Sequence, residues 1–275
     1  MKFFGTIIFL CLISITGKSQ YYFNDIVAAQ QSQKQYLALK TNHIHNVNAV
    51  SYESDNEPTE DFKLEQQIGF NAKTIRIFSS DPSSGSTVTI NTYENNKLIK
   101  TIDSSINVTN TITYKYDASD KINTIKTVTE DTFMKSNSEE LHQWFYKDDK
   151  PDYMLRIKDK TDTTLIALTY DEQGNVAQED WKKKDRIIET YYYYYNDKKQ
   201  LTDIVRYNNR AKKMLPDFLY EYDDEGHVIQ LTEIPAGSSD YMIWKYIYAN
   251  NGLKKAEYLF NKQKQLVGKI EYQYQ

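Results

Sequence analysis

Tyrosine recurs along this chain at a spacing that defines a repeat. The chain holds 24 tyrosines in 275 residues. Successive members of one subset lie 23 to 30 residues apart, each ending an alternating segment and preceding a polar turn. They are Tyr93, Tyr116, Tyr146, Tyr170, Tyr195, Tyr222 and Tyr248, with Phe70 before them and Tyr274 after them in the same role. Each repeat of this length forms one supersecondary unit. The part of the chain that holds these tyrosines is therefore predicted to be a continuous array of such units.

The residues that follow each of these tyrosines indicate a tight turn. Tyr170 is followed by Asp-Glu-Gln-Gly-Asn-Val and Tyr222 by Asp-Asp-Glu-Gly-His-Val, while Tyr116 and Tyr195 precede looser copies. The Asp can hydrogen-bond the backbone farther along the turn. The Gly adopts a positive φ at little steric cost. The apolar residue at the end of the motif then begins the next strand.

A second, more variable turn divides each unit, as in residues 81–86 and 235–239. Short alternating segments between turn signals, such as residues 87–93, are typical of an all-β meander. Links of hairpin length make neighbouring strands antiparallel. A sheet of more than about ten strands tends to curl or split. The predicted fold is therefore a long antiparallel meander of hairpin repeats, either a curled open sheet or a loose barrel.

The region before the repeats has a different composition. Apolar residues at helical spacing predict a helix from about Ile26 to Lys40, with Asn24 or Asp25 as its cap. A strand is expected near residues 44–52, followed by a polar loop. Because repeat arrays need atypical ends, the helix is expected to cover the first edge of the sheet. Residues 20–60 are thus assigned to an N-terminal helix and capping segment, and residues 61–275 to the β-hairpin repeat domain.

The first residues have the order of a secretory signal. Lys2 precedes an apolar run at residues 3–15, and Gly17 and Ser19 offer small residues for cleavage after residue 19. Residues 1–19 are therefore predicted to be a signal peptide that exports the chain to the periplasm, the cell surface or the medium. Cleavage would remove Cys11, the only cysteine, and leave no thiol for a disulfide or a metal site.

Charge and hydropathy narrow the choice of partners. The formal net charge is −4, and a mildly acidic chain has no general attraction for phosphate backbones, so nucleic acid is not expected as a partner. The mean hydropathy is −0.71, and the strands carry Lys, Glu and Asp freely. A strand facing lipid needs a continuous apolar face. The chain is therefore not expected to span a membrane after removal of its signal.

The segment Tyr-Glu-Tyr-Asp-Asp-Glu-Gly-His-Val at residues 220–228 resembles the YD repeat of Rhs-type and teneurin-type proteins. Residues 114–122 and 170–176 resemble it as well, and the resemblance extends from about residue 70 onward. It implies a secreted or surface β-hairpin array, which in large members winds into a shell around a C-terminal toxin. The present array is much shorter and ends on half a repeat, so an array without a toxin domain is expected. Residues 93–98 are also similar, as a weaker match, to MORN-type repeats of small antitoxin-like proteins.

Aromatic residues two positions apart form a two-column stripe. The pairs are Tyr114/Tyr116, Trp144/Tyr146, Tyr193/Tyr195, Tyr220/Tyr222, Tyr246/Tyr248 and Tyr272/Tyr274. Residues at this spacing share one face of a strand. Cross-strand aromatic ladders fill a β core, which favours a structural role for the stripe over a role as a ligand platform.

Five tyrosines in succession at residues 191–195 place aromatic rings on both faces of one strand. Tyr192 and Tyr194 then lie opposite the stripe, as does Phe145 in another unit. Exposed aromatic patches mark binding surfaces. The predicted ligand-binding residues are Tyr192, Tyr194, Phe145, Trp144 and Trp244, with carbohydrate or protein as the ligand.

The sequence shows no recognisable motif for catalysis, cofactor binding or metal binding. His43 and His45 would share one strand face, but no third ligand accompanies them, and His142 and His227 stand alone. We therefore predict a non-catalytic binding or scaffold protein without cofactor or metal. One alternative is an enzyme acting on polysaccharide, which would need two carboxylates about 5 to 10 Å apart. Acidic residues fall mainly in turns and on solvated faces, which disfavours that alternative. A second alternative is an antitoxin-like or immunity-like repeat protein.

Overall fold

A computed structural model describes residues 20–69, 73–81, 85–208, 212–235, 238 and 240–275. These residues form one π-helical segment, one α-helix and eighteen strands. The helical elements are the π-helical segment Tyr22–Val27 and α1 (Ala28–Thr41). The strands are β1 (Asn46–Glu53), β2 (Lys63–Gly69), β3 (Thr74–Asp81), β4 (Gly85–Glu94), β5 (Lys97–Ser104), β6 (Val108–Tyr116), β7 (Ile122–Asp131), β8 (Ser136–Lys147), β9 (Lys150–Lys158), β10 (Asp162–Tyr170), β11 (Val176–Lys183), β12 (Arg186–Tyr195), β13 (Leu201–Asn208), β14 (Lys213–Tyr222), β15 (Val228–Glu233), β16 (Met242–Tyr248), β17 (Lys254–Asn261) and β18 (Leu266–Tyr274).

The chain divides into two compact units. Among the described residues, the first comprises those within 20–50, 60–166 and 273–275, and the second comprises those within 51–59 and 167–272. In the first unit β1 pairs with β2, and each strand from β2 to β9 pairs antiparallel with the next. In the second unit the same holds from β11 to β18. The predicted all-β antiparallel meander with an N-terminal helix is therefore confirmed, while the curl of the sheet stays a prediction.

The turn after each closing tyrosine has the predicted chemistry. After Tyr170, the Asp171 carboxylate accepts hydrogen bonds from the Asn175 backbone and side-chain amides at 2.8 and 2.9 Å. Gly174 closes this turn with a φ of 82°. The hydrogen bond from the Asn175 side chain lowers the pKa of Asp171. Sequence alone therefore identifies both the acceptor and the glycine of this turn.

Other copies keep this geometry with different residues. Gly226 has a φ of 89°, whereas Asp120 and Lys199 adopt φ values of 66° and 59° at the equivalent place. A positive φ in a residue other than glycine is strained by roughly 1 kcal/mol. The side-chain acceptor of the same turn offsets this strain, as where Asn196 accepts from two backbone amides at 3.0 Å.

The N-terminal helix begins earlier than predicted, and Asp25 is not its cap. Tyr21 is already helical, and the side chain of Asp25 turns into the protein, where it is 6% exposed. Buried donors on β8 satisfy this carboxylate better than the backbone of a first helical turn would. The prediction of Asn24 or Asp25 as a capping residue was therefore wrong, whereas the helix itself is confirmed.

Helix α1 also lies elsewhere than predicted, because it packs on the face of the first unit rather than at its first edge. Tyr36 stacks on Tyr93 of β4 at a centroid distance of 4.0 Å, and both rings are 2% exposed. Ser32 and Tyr93 share a hydrogen bond of 2.9 Å. Gln33 donates to the hydroxyl of Tyr116 on β6 at 3.1 Å. Helix α1 therefore covers the rings of Tyr93 and Tyr116 in the first unit.

Several sequence predictions fall on residues outside those described. They are the signal peptide at residues 1–19, the repeat position at Phe70, and parts of the variable turns at residues 82–84, 236–237 and 239. The predicted strand near residues 44–52 corresponds to β1.

Candidate functional site

The closing tyrosines are joined to the preceding repeat by a recurring hydrogen bond. In five of them the hydroxyl donates to the main-chain carbonyl of the first apolar residue in the strand that begins one repeat earlier, at 2.7 to 3.1 Å. The pairs are Tyr116 to Leu98, Tyr146 to Ile122, Tyr195 to Val176, Tyr222 to Leu201 and Tyr248 to Val228. Phenylalanine cannot make this bond, which explains why tyrosine is the repeated residue.

The tyrosines of the stripe are buried or half-buried. Tyr193 is 3% exposed and Tyr246 is 8% exposed, and the other stripe tyrosines are half-buried. Burial raises the pKa of Tyr116 and of Tyr222 to about 12, so these hydroxyls stay protonated as donors at ordinary pH. The structural interpretation of the stripe is confirmed.

The two tryptophans among the predicted ligand-binding residues share this interior. Trp144 is 3% exposed and Trp244 is 4% exposed. The indole nitrogen of Trp144 donates to Asp25 Oδ2 at 2.8 Å, which ties the ring to the N-terminal helical segment. Neither indole reaches the outer face, because both occupy strand positions whose side chains point inward. The role of these two tryptophans in ligand binding stays a prediction.

His142 does not stand alone, contrary to the sequence analysis. Its Nδ1 lies 2.7 Å from Asp25 Oδ2, and its Nε2 lies 2.8 Å from Glu140 Oε1. Arg156 Nη2 donates to the other oxygen of Glu140 at 2.5 Å. Together with Trp144 these residues form what we call the His142 latch. It links the helical segment to β8 and β9 of the first unit.

The latch stabilises the charged form of His142. Burial alone would lower the pKa of this imidazole, but the charge and hydrogen bond of Asp25, together with Glu140, outweigh burial and raise the pKa to about 9. Burial would likewise raise the pKa of Glu140, but hydrogen bonds from His142 and Arg156 lower it to about 2. Both ring nitrogens then donate to carboxylates, so the latch is a structural ion network without a free proton acceptor.

A second buried acid occupies the interior of the second unit. Glu179 on β11 is 0% exposed and accepts hydrogen bonds from Trp181 Nε1 at 2.6 Å and from the Tyr193 hydroxyl at 2.8 Å. Glu257 on β17 is 3% exposed. The expectation that acidic residues lie mainly in turns and on solvated faces misses these two, Asp25, and Asp180 at 8% exposure. They are tolerated inside because neighbouring donors satisfy their oxygens.

The outer face of the second unit carries two of the aromatic residues predicted to bind ligand. On β12 the buried Tyr191 and Tyr193 alternate with Tyr192, which is half-buried, and Tyr194, which is 51% exposed. Tyr192 lies opposite Gln178 of β11 and Tyr194 opposite Asp203 of β13. The placement of Tyr192 and Tyr194 opposite the stripe is therefore confirmed.

These residues border an open depression of about 360 Å³, which we call the outer depression. Its polar lining is supplied by Thr169, Asp171, Gln173 and Gln178, and residues 192–195 of β12 border it as well. Binding sites for small ligands typically combine aromatic surface with a few convergent polar groups and have volumes of roughly 300 to 1,000 Å³. The outer depression has this composition at the lower end of that range.

Phe145, the remaining predicted ligand-binding residue, belongs to the first unit. It is 38% exposed and stacks on Tyr153 of β9 at a centroid distance of 4.5 Å. The two residues lie directly opposite each other on β8 and β9. Of the outward-facing aromatic residues predicted from sequence, Phe145 therefore lies on the first unit and Tyr192 and Tyr194 lie on the second.

Histidine and carboxylate groups give little support for a metal site. His43 lies in the turn after α1 with a φ of 54°, so it does not share a strand face with His45. Among the described residues, the ligand atoms of Asp223, Glu225 and His227 come within 4.8 Å of one another. The His227 ring already hydrogen-bonds Asp223 at 3.0 Å, so the group is explained as part of its turn.

Within the described parts of the chain, no helix is long and apolar enough to cross a membrane.

Comparison with known proteins identifies no family. No family model matches the chain, and no curated protein matches it. Among solved structures, the chain is similar to a porin-like protein from Bacteroides uniformis ATCC 8492, with 9% identity, a TM-score of 0.39, and coverage of 84% of this chain and 96% of that chain. A porin-like protein from Bacteroides vulgatus ATCC 8482 gives 10% identity, a TM-score of 0.28, and coverage of 84% and 98%.

A third similar structure is the Photorhabdus luminescens Tc holotoxin pore, with 10% identity and a TM-score of 0.23. That alignment covers 85% of this chain but 17% of the other. At these TM-scores the likeness assigns neither a function nor a partner to the present chain.

Proposed function

We propose that this chain is an exported, non-catalytic β-repeat protein that binds carbohydrate in the outer depression. The observation that carries the proposal is the position of the half-buried Tyr192 and the exposed Tyr194 beside amide and carboxylate side chains. Aromatic rings offer apolar faces to the C–H groups of a sugar ring, while Gln178 and Asp171 offer hydrogen bonds to its hydroxyls. The same combination suits a small saccharide better than a purely apolar ligand.

The binding test is a glycan-array screen followed by calorimetry with the best oligosaccharide. Tyr194→Ala is expected to weaken binding by about 1.4 kcal/mol or more, which is about tenfold, because it removes the most exposed ring of the depression. Tyr207→Ala provides a matched control, since Tyr207 is a similarly exposed tyrosine, at 45%, on the neighbouring strand β13. Equal affinity of the Tyr194→Ala variant and the parent protein would refute the assignment.

Export is supported by the charge of Lys2, the apolar run at residues 3–15 and the small residues at 17 and 19. We expect the protein recovered from the cell envelope or the medium to begin at Gln20. Mass spectrometry of its N-terminal peptide tests this directly, and recovery of a chain that still begins at Met1 would contradict it.

A non-catalytic role is supported by the way the buried acids are held. Both oxygens of Glu179 accept side-chain hydrogen bonds, and both nitrogens of His142 face carboxylates. A general acid or base needs an accessible proton site within reach of its substrate. We expect no release of reducing ends from polysaccharides that bind the protein. Release that disappears in Glu179→Gln would instead favour the enzymatic alternative.

The hairpin unit also supports the proposed relationship to YD-repeat arrays. The aspartate and glycine of the motif occupy the turn, and its tyrosine joins one repeat to the previous one. A hairpin array needs both of these roles, which is why the motif recurs along the chain.

A further inference from the structure

One end of the second unit concentrates positive charge. It consists of the β11–β12 turn and the adjoining ends of β13 and β14, away from the turns that follow the closing tyrosines. Residues 182–189, 207–208 and 212–214 include six basic residues, Lys182, Lys183, Lys184, Arg186, Lys212 and Lys213, and two acidic ones, Asp185 and Glu189. The chain as a whole has a net charge of −4. We call this region the basic end.

The basic end also exposes large apolar side chains. Ile187 is 57% exposed, Ile188 54%, Tyr207 45% and Met214 40%. Tyr207 lies directly opposite Met214, and Ile187 lies opposite Lys182. Apolar and basic side chains therefore alternate over one small area.

The core does not explain these residues. On β12 the first fully buried ring is Tyr191, so Ile187 and Ile188 lie beyond the packed interior. Lys184 and Asp185 form the turn before them, with φ values of 48° and 62°. Exposed aliphatic residues grouped in this way mark an interaction surface rather than a structural requirement.

We propose that the basic end docks on a lipid bilayer rich in anionic phospholipid. Interfacial binding combines apolar side chains inserted at the boundary of the acyl chains with Lys and Arg near the phosphates. Long basic side chains can reach the phosphates while their stems lie along apolar surface. A soluble polyanion would use the charges but gain little from Ile187, Ile188 and Met214. Because the rest of the chain carries a net negative charge, a negatively charged surface attracts this end and repels the remainder.

The first experiment is vesicle co-sedimentation of the purified chain without residues 1–19, because the apolar run at residues 3–15 would itself bind lipid. Vesicles of phosphatidylcholine alone are compared with an equal mixture of phosphatidylglycerol and phosphatidylcholine. Each basic residue at an anionic surface contributes about fivefold to partitioning. The double variant Lys212→Glu/Lys213→Glu is therefore expected to lower partitioning by at least about 25-fold.

A matched control changes the same number of charges elsewhere on the second unit. Lys262 and Lys264 lie exposed in the β17–β18 turn, and Lys264 has a positive φ of 61° as Lys212 has one of 54°. The variant Lys262→Glu/Lys264→Glu therefore changes the net charge by the same amount as Lys212→Glu/Lys213→Glu, and each double variant replaces one residue that has a positive φ. It is expected to retain most of the parental partitioning. Thermal melts of both variants show whether each one folds.

The second experiment tests insertion without changing charge. An environment-sensitive fluorophore is attached through Ile187→Cys, and in a control protein through Gln263→Cys in the exposed β17–β18 turn. The described residues contain no native cysteine, so each label has one site. Anionic vesicles are expected to shift the emission of the label at position 187 to the blue and to leave the label at position 263 unchanged.

Three results would overturn the proposal. They are no partitioning onto anionic vesicles, equal loss of partitioning in the two charge variants, and equal emission shifts at the two labelled positions. Binding of an oligonucleotide or of inorganic polyphosphate without vesicle binding would also overturn it, in favour of a soluble polyanion. These readouts do not involve the outer depression, so they succeed or fail independently of glycan binding.

Discussion

The His142 latch provides a quantitative test of how the helix is held on the first unit. His142→Gln removes the positive charge between Asp25 and Glu140 and leaves Asp25, at 6% exposure, with Trp144 as a donor. Removing one partner of a buried ion pair destabilises a protein by about 3 to 5 kcal/mol. The rise in the pKa of His142 from 6.5 to about 9 corresponds to about 3 kcal/mol, which agrees with that range.

The same shift fixes the sign of the pH dependence. Because the folded pKa of His142 lies above its unfolded value, its contribution is complete below pH 6.5 and is lost as the pH rises through about 9. The pKa of Glu140 is lowered from 4.5 to about 2, so its contribution is complete above pH 4.5 and is lost as the pH falls through about 2. The latch is therefore most stabilising between pH 4.5 and 6.5.

The assay is urea unfolding followed by near-ultraviolet circular dichroism over this pH range and above it. The parent protein should lose stability between pH 6.5 and about 9, and His142→Gln should start less stable and lack this decline. His227→Gln provides a control, because His227 hydrogen-bonds Asp223 in a turn and does not belong to the latch. An equal decline with pH in His142→Gln and the parent would refute the assigned role of His142.

Two further predictions concern the repeat. Tyr222→Phe is expected to lower the free energy of unfolding by about 1 kcal/mol through loss of the bond to Leu201, whereas Tyr207→Phe should change it by less than about 0.5 kcal/mol. Thermal denaturation compares the two, and equal effects would contradict a role for the repeated hydroxyl. Gly226→Ala should lower the free energy of unfolding more than Gly85→Ala does. Both glycines have a positive φ, but only the Cβ added at position 226 would lie 3.1 Å from a side-chain atom, whereas the one at position 85 would meet nothing within 4 Å. Similar unfolding free energies for these two variants would show that backbone strain alone determines the loss, which is expected to be about 1 kcal/mol for Gly85→Ala.

The parts of the fold that depend on nearby residues could be predicted from sequence. Asp171 and Gly174 stand three residues apart, and the turn they form is complete within the motif. Strand alternation likewise placed Tyr192 and Tyr194 on one side and Tyr193 on the other. Local hydrogen bonding and the two-residue period of a strand are sufficient for both conclusions.

The parts that depend on distant residues could not be predicted. Asp25 and His142 are separated by 117 positions, and no spacing signal connects a helix to a strand so far along the chain. Strand alternation also does not show which face is covered, so sequence alone could not predict that the N-terminal helical segment contacts Trp144. The hydrogen bond between His227 and Asp223 could have been predicted from sequence. Asn175 occupies the same motif position as His227, and it bonds Asp171 in the same way.

The central claim is that carbohydrate binds the outer depression rather than the interior stripe. A tyrosine-selective nuclear magnetic resonance titration with the best oligosaccharide tests it, with Tyr192→Phe and Tyr194→Phe used to assign the two outer rings. On addition of the oligosaccharide, the signals of Tyr192 and Tyr194 are expected to shift, while those of the buried Tyr191 and Tyr193 stay in place. Shifts confined to the other tyrosines, with Tyr192 and Tyr194 unchanged at saturation, would contradict it.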